Sequence, residues 1–371
     1  MPPRGLRALG RAVFAIALLA AGPAAAGCEP GETAIRLAAP AKSTLPGVAQ
    51  GLAQLREAID TALQGKACVE PVVDEVSVGD SVLLATLSKG DVHMGVANID
   101  TVAQAASAYG IYRLPFAMRD LDAVLKFSSA ARRELAKPLA AFGLVPLEHW
   151  LGRFDIIAAD RAVLVPADLA GARVWLPASG DRIELGRALK ITLPDAGAEG
   201  PLADLGAGRL NAASTSWREL AVPPRAVDRA TASGTPATAA PATAPLATAA
   251  PATVVAGKGA PDTAVQTSET NHRYRGGVLL ANAAFLEALE PGVRATLAGL
   301  LERFTRTHNG DVGRRAGAAG RVVMRREAPV WTVSDAQRDL WRAAAAPVWN
   351  AWRPARREIL LGLLADANRM P

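Results

Sequence analysis

The chain has 371 residues, half of them hydrophobic and one fifth charged, enough to bury one large or two medium cores. Its 41 basic and 35 acidic residues leave +6, and no Lys/Arg cluster has the density of a nucleic-acid footprint. Four scattered histidines, with no Cys-x-x-Cys and no His-Glu-x-x-His, exclude the familiar metal motifs.

The first residues concern the compartment. Arg4, Arg7 and Arg11 precede an apolar run over 12–21, and Ala24-Ala25-Ala26 closes it with small side chains. This reads as a secretory leader over 1–26, too short to span a bilayer. With three arginines removed from the 41 basic residues, against 35 acidic ones, the mature balance is +3. No later stretch approaches the length of an apolar span, so a soluble, exported, periplasmic protein is expected. Cys28 and Cys68 then admit three readings: a disulfide, a lipid anchor on Cys28, or two free thiols. Ala25-Ala26-Gly27-Cys28 has the small residues of a lipobox but lacks the usual leucine at its start.

Residues 33–39 read as a first strand. Val48, Leu52, Leu55, Ile59 and Leu63 recur at helical steps up to Gly65. A strand over 68–76, a helix over 80–87 and a strand over 92–96 follow. This alternation predicts a parallel sheet with right-handed crossovers. His93 falls inside the third strand and reads as a core or surface histidine. A helix over 121–142 leads to the stretch 143–177, where short apolar runs bounded by Gly and Pro read as buried strands over 144–151, 154–158 and 173–176. Between them Pro166 to Gly171 forms a tight turn, with Gly171 free to take positive φ.

Beyond it, 181–189 reads as a helix, 191–193 as a short strand and 202–208 as a helix end. Over 222–265 Pro-Ala-Thr units repeat with almost no large apolar side chains, which predicts a disordered insertion. Order is expected again at Thr270, with a strand over 277–281 and Asn282 as a helix cap. A long helix carries Val293, Leu297, Leu300, Leu301 and Phe304; a last strand is expected over 321–324. Ser334 starts the closing helices, and Trp331, Trp341, Trp349 and Trp352 read as their packing residues.

Four groups of residues carry a resemblance. Gly143-Leu144, Trp150, Gly152-Arg153 and Pro166-Ala167-Asp168-Leu169-Ala170-Gly171-Ala172-Arg173 occur in the order found in the middle of a known family. Ser88 to Val96, Leu114-Pro115-Phe116 with Arg119-Asp120, and Thr270-Asn271-His272 match its other segments. The sequence resembles the solute-binding subunits of tripartite ATP-independent periplasmic (TRAP) transporters, the dicarboxylate-binding, DctP-like family.

The resemblance implies an α/β protein with two lobes and crossing strands at a hinge. Lobe one would cover 27–150 and lobe two 151–221. The insertion would cover 222–268, and 269–371 would return across both lobes. It implies no enzymatic activity, no cofactor and no metal. It implies a small anionic solute and the transporter's membrane subunits as partners. The absence of Gly-x-Ser-x-Gly and of Walker or dinucleotide loops agrees with that. A non-transport scaffold or sensory partner is the alternative.

In relatives an arginine at the end of the central motif holds the ligand carboxylate; this sequence has Trp175 there. Trp175 would offer a stacking face, and a cation must come from elsewhere. Arg153 lies near the family's second cationic position, and a one-residue length difference leaves Arg153, Phe154 and Asp155 as the alternatives there. Arg173 shares the face of Trp175 by strand period; Arg182 and Arg36 are weaker candidates. Asn98 is placed by the resemblance in a ligand-facing loop, although Asn98 and Asp100 could simply cap the next helix. Phe116 reads as cleft wall or core. Thr215 replaces a ligand-contacting asparagine, and Trp217 an aliphatic residue.

Overall fold

The computed structural model describes residues 28–39, 45, 47–71, 80–221, 265–325 and 329–369. The expected leader and nearly all of the Pro-Ala-Thr insertion lie outside the described residues, as does the end of the strand expected over 68–76. In chain order the first elements are β1 (Thr33–Ala38), α1 (Val48–Ala62), β2 (Ala67–Pro71), α2 (Asp80–Lys89), β3 (Met94–Asn98), α3 (Ile99–Ala105) and α4 (Leu121–Ala140). Next come β4 (Leu144–Ala159), β5 (Val174–Trp175), α5 (Arg182–Ala188), α6 (Pro201–Gly206), β6 (Ala212–Thr215) and α7 (Trp217–Ala221). The last are β7 (Gln266–Asn282), α8 (Ala283–Ala288), α9 (Pro291–Met324), β8 (Val330–Thr332), α10 (Asp335–Ala344), α11 (Ala346–Ala351) and α12 (Arg357–Asn368).

The strands form one mixed sheet in the order β2-β1-β3-β7-β4-β6-β5, with β8 on the flank of β7. The expected parallel pairing holds for β1 with β2 and with β3. It gives way to antiparallel pairing where β7 meets β3 and β4. That change follows from β7 returning through the middle of the sheet from far along the chain.

Strands β4 and β7 hold the two lobes together. They run antiparallel over their whole length, from Leu144 opposite Asn282 to Ala159 opposite Gln266. Their first-lobe ends adjoin β3; their other ends adjoin β6, or β8 on the flank. The two strands expected over 144–151 and 154–158 are therefore one continuous strand, with the register shifting between Trp150 and Arg153. Gly152 sits in that shift. A Cβ there would run into the carbonyl of Arg275, so only glycine lets the strands cross this closely.

Each lobe has cores on both sheet faces. In lobe one, Leu55 and Ile59 of α1 pack with Leu297 and Leu301 of α9 on one face. Phe127 and Leu135 of α4 pack with Leu360 and Leu364 of α12 on the other. In lobe two, Ile157, Val174 and Trp341 form one core, and Ala158, Leu205 and Ala213 the other. The expected role of the late tryptophans is seen in Trp341, which is fully buried and donates to the Leu164 carbonyl at 2.8 Å. Trp349 and Trp352 likewise donate to the carbonyls of Pro115 and Ser107.

The strand expected over 321–324 is instead the last turn of the 34-residue α9. Val323 is buried on the helical face of Val312 and Gly320 while its neighbour Val322 is exposed, so tertiary packing overrides the β-branched pair. The strand expected over 191–193 reduces to a single bridge between Thr192 and Arg173. Strand β7 begins at Gln266, four residues before the expected Thr270, and pairs with β4 and β8 there. Asn282 caps α8 as expected, accepting from the Phe285 amide at 2.9 Å. Ser334 and Gln337 form a capping box on α10.

Cys28 and Cys68 are joined in a disulfide, with Cα atoms 5.6 Å apart. Neither is a free thiol or available for a lipid thioether. Among the described residues no helix is long and apolar enough to cross a membrane.

Candidate functional site

The crossing of β4 and β7 gathers charge. Beyond Gly152 the register sets Arg153 opposite Arg275 and Asp155 opposite Arg273. Alternation along each strand keeps these four on one face, and two arginines directly across from each other repel unless compensated. Asp155, 3% exposed at its side chain, compensates them: it accepts from Arg275 Nε at 2.7 Å and lies 3.9 Å from Arg153 Nε. Burial opposes the charge of Arg275, but the Asp155 carboxylate outweighs it and raises that pKa above its ordinary value.

A second ring of charge surrounds this pair from both lobes. Asp100, at the start of α3 on lobe one, accepts from Arg273 Nη2 at 2.9 Å and lies 3.4 Å from Arg113. Arg113 in turn lies 3.7 Å from Asp181, at the start of α5 on lobe two. Glu219 of α7 pairs with Arg153 at 3.2 Å and accepts from the Thr215 hydroxyl at 3.1 Å. Four arginines thus face four carboxylates.

The pairing is incomplete at the level of atoms. The Nε atoms of Arg113, Arg153 and Arg273 and the Oδ1 of Asp181 are buried without a hydrogen-bond partner. Buried donors of charged groups without hydrogen bonds are costly, and a bound solute would be one way to satisfy them. A recess of about 20 Å³ indents the protein here, lined by Arg113, Asp181, Arg273 and His272 and walled by Leu176 and Leu185.

His272 lies beneath the charged face. Its ring nitrogens meet the hydroxyls of Thr270 at 2.9 Å and Ser214 at 3.0 Å. Burial, helped by Arg273 and Arg275, pushes its pKa down to about 3, so the ring is neutral. The Ser214–His272 contact is not a catalytic pair. Both residues are buried, and a threonine takes the place of the carboxylate that would orient a base.

A larger cavity of about 140 Å³ lies on lobe one beside Tyr112, Arg132, Glu148 and His149. Its polar groups satisfy one another: Tyr112 with Ser128, Arg132 with Glu148, and His149 with Tyr274. The crossing, not this cavity, is the candidate site.

The residues singled out from sequence are dispersed. Arg153 and Thr215 come together on Glu219. Asn98 ends β3 two residues before Asp100 and makes no capping bond with its side chain. Phe116 is buried and stacked on Trp341 at 5.0 Å, which places it in the core of lobe two. Arg173 reaches the Gly208 carbonyl at 2.7 Å on an exposed flank, held there by edge strand β5. Trp175 shares that face, as the strand period requires, and packs half-buried against the Ala158, Leu205 and Ala213 core. Trp217 lies against Gly320 of α9. Arg182 donates to the carbonyls of Leu176 and Pro194, and Arg36 to those of Gly90 and Asp91. His93 stacks on Phe285 at 4.0 Å, a packing role.

Sequence reasoning passed over Arg113, Asp181, Glu219, Arg273 and Arg275. The one linear signal for them was the alternation His272-Arg273-Tyr274-Arg275, which on a strand puts two cations on the same face.

Residues 40–195 match the family model described as bacterial extracellular solute-binding protein, family 7. The C4-dicarboxylate-binding periplasmic protein DctP of Vibrio cholerae is 31% identical over 159 residues, which are 42% of this chain and 47% of that one. The chain thus matches about half the length of this relative. Two solved TRAP periplasmic solute-binding proteins share the fold at 16% identity. One, from Shewanella oneidensis with bound succinate, has a TM-score of 0.63 over 91% of this chain and all of that one. The other, from Ochrobactrum anthropi with its C-terminus in the ligand-binding pocket, has a TM-score of 0.70 over 90% of this chain and 95% of that one. Over 40–195 the chain is thus similar to the DctP-like solute-binding proteins, and over nine-tenths of its length it has the two-lobe fold of TRAP periplasmic solute-binding proteins.

Proposed function

We propose that the protein is the extracytoplasmic solute-binding subunit of a TRAP-type transporter. It takes a small organic acid or related solute at the crossing of its two lobes and delivers it to membrane subunits. The observation that carries this reading is the set of arginines at and beside the strand crossing, contributed from both lobes, three of them with a buried Nε that makes no hydrogen bond. Guanidinium groups at such a junction suit a carboxylate, and a solute bridging the lobes would favour their closure. The leader over 1–26 fits export to the periplasm. Trp175 in place of the family's arginine fits a site that has moved its cations onto β4 and β7.

The alternative, a scaffold or sensory partner that kept the fold without binding solute, is favoured by one observation. Every arginine of the site already has a carboxylate of this chain within 4 Å. A thermal-shift screen of the mature protein against organic acids, uronates, amino acids and heterocycles separates the two. A ligand that binds only the native state stabilises it by about 2.7 kcal/mol at a hundredfold excess over Kd. A clear shift with one chemical class is the expected result. No shift across the library, from a cooperatively folded sample, leaves the scaffold.

A further inference from the structure

The charge balance of the site bears on its ligand, granted the reading that the crossing takes a solute. A site for a dianion needs surplus positive charge, because burying two uncompensated negative charges is costly. Here the four arginines, together with Arg182, which also lines the recess, stand against Asp100, Asp155, Asp181, Glu219 and Asp195, the last 3.8 Å from Arg182, which leaves no surplus. A dianion would have to expel two of the chain's own carboxylates. A solute of zero net charge carrying both signs would have to expel none.

The unpartnered atoms have that same mixed character. Arg273, only 8% exposed, has a buried Nε without a hydrogen-bond partner; the Nε of Arg113 also makes no hydrogen bond, though it lies 3.4 Å from Asp100. Asp181 presents an unpartnered Oδ1. All three line one recess whose walls are Leu176 and Leu185. Two cationic donors, one anionic acceptor and an apolar wall are complementary to a carboxylate, an ammonium and the carbon chain between them. The Arg113–Asp181 contact, at 3.7 Å, is long enough to be split by such a molecule. We infer that the preferred solute is a zwitterion, an amino acid or an analogue of one, whose carboxylate takes Arg113 and Arg273 and whose ammonium takes Asp181.

Isothermal titration of the full mature protein with matched sets tests this. The sets are β-alanine, malonate and propionate; 4-aminobutyrate, succinate and butyrate; 5-aminopentanoate, glutarate and pentanoate. In at least one set the amino acid should bind tenfold or more tighter than both its diacid and its plain acid. In Asp181→Asn that amino acid should lose tenfold or more, while the diacid holds or gains affinity. An unaltered melting profile for Asp181→Asn shows that it folds, and Asp181→Glu should restore part of the preference. A diacid preferred in every set overturns the inference and leaves the solute-binding reading standing. Equal losses for amino acid and diacid in Asp181→Asn also overturn it, because Asp181 would then serve structure alone. If no member of any set binds, the inference fails; a uronate or heterocycle found in the broader screen would keep the transport reading, and silence there would end both.

Discussion

At the scale of single residues, His272 couples stability to pH. Its pKa is about 3 in the folded protein, lowered by burial and then by Arg273 and Arg275, against about 6.5 for an unfolded histidine. The folded state therefore holds the neutral ring while the unfolded chain gains a proton below pH 6.5. Stability from this group is complete above pH 6.5 and is lost progressively as pH falls toward 3. Between pH 7.5 and 5 the loss should be about 2 kcal/mol. Urea denaturation at a series of pH values should show it: His272→Asn should remove about that much of the loss in the window, with His149 and His93, also depressed by burial to about 3 and about 4, supplying the rest. The buried Ser214 and Thr270 that hold the ring would give the amide partial replacement bonds.

At the scale of elements, the crossing of β4 and β7 depends on one missing Cβ. Gly152→Ala drives a methyl group into the Arg275 carbonyl, and neither strand can retreat because each is paired on its other side. The expected cost is about 3 kcal/mol, measured by chemical denaturation. Gly206→Ala, on α6 with open space at the Cβ position, should be neutral or stabilising by up to about 1 kcal/mol. Much of this architecture was legible in sequence, because apolar runs cut by Gly and Pro marked the strands and helical spacing marked α1, α4 and the front of α9. The end of α9 was not, since Val322-Val323 carries strand propensity and only the buried neighbours of Val323 decide otherwise. The site was the least legible part. Asp155 and Arg275 are 120 residues apart, and their pairing follows from strand register, which no local pattern states. Nothing near Trp175 in the chain told that the arginines would gather on β4 and β7.

At the scale of the whole molecule, the disulfide closes a loop of 40 residues that contains β1, α1 and the start of β2. In the chain-entropy account such a loop contributes about 4 kcal/mol. A Cys28→Ser, Cys68→Ser double variant should melt lower by that amount, and reductant should lower the melting temperature of the native protein but not of the variant. Solute affinity should survive in the double variant, because the disulfide lies on lobe one at the sheet edge and the site lies at the crossing.

Helix α9 sets how the lobes can move relative to each other. Asn309 grips β4 immediately before the crossing, donating to the His149 carbonyl at 2.9 Å and accepting from the Leu151 amide at 2.8 Å. About 50 Å long at 1.5 Å per residue, α9 is a rod held to lobe one as far as Val312, in the Phe127 core, and Arg315, on Gln50 of α1. Lobe two touches the portion beyond through Trp217 on Gly320. A turn at Gly152 would therefore be magnified along the rod and would move its far end against the indole ring. The protein carries a lever with an optical pointer at its tip, so that Trp217 would register, from outside the site, whether the lobes have closed.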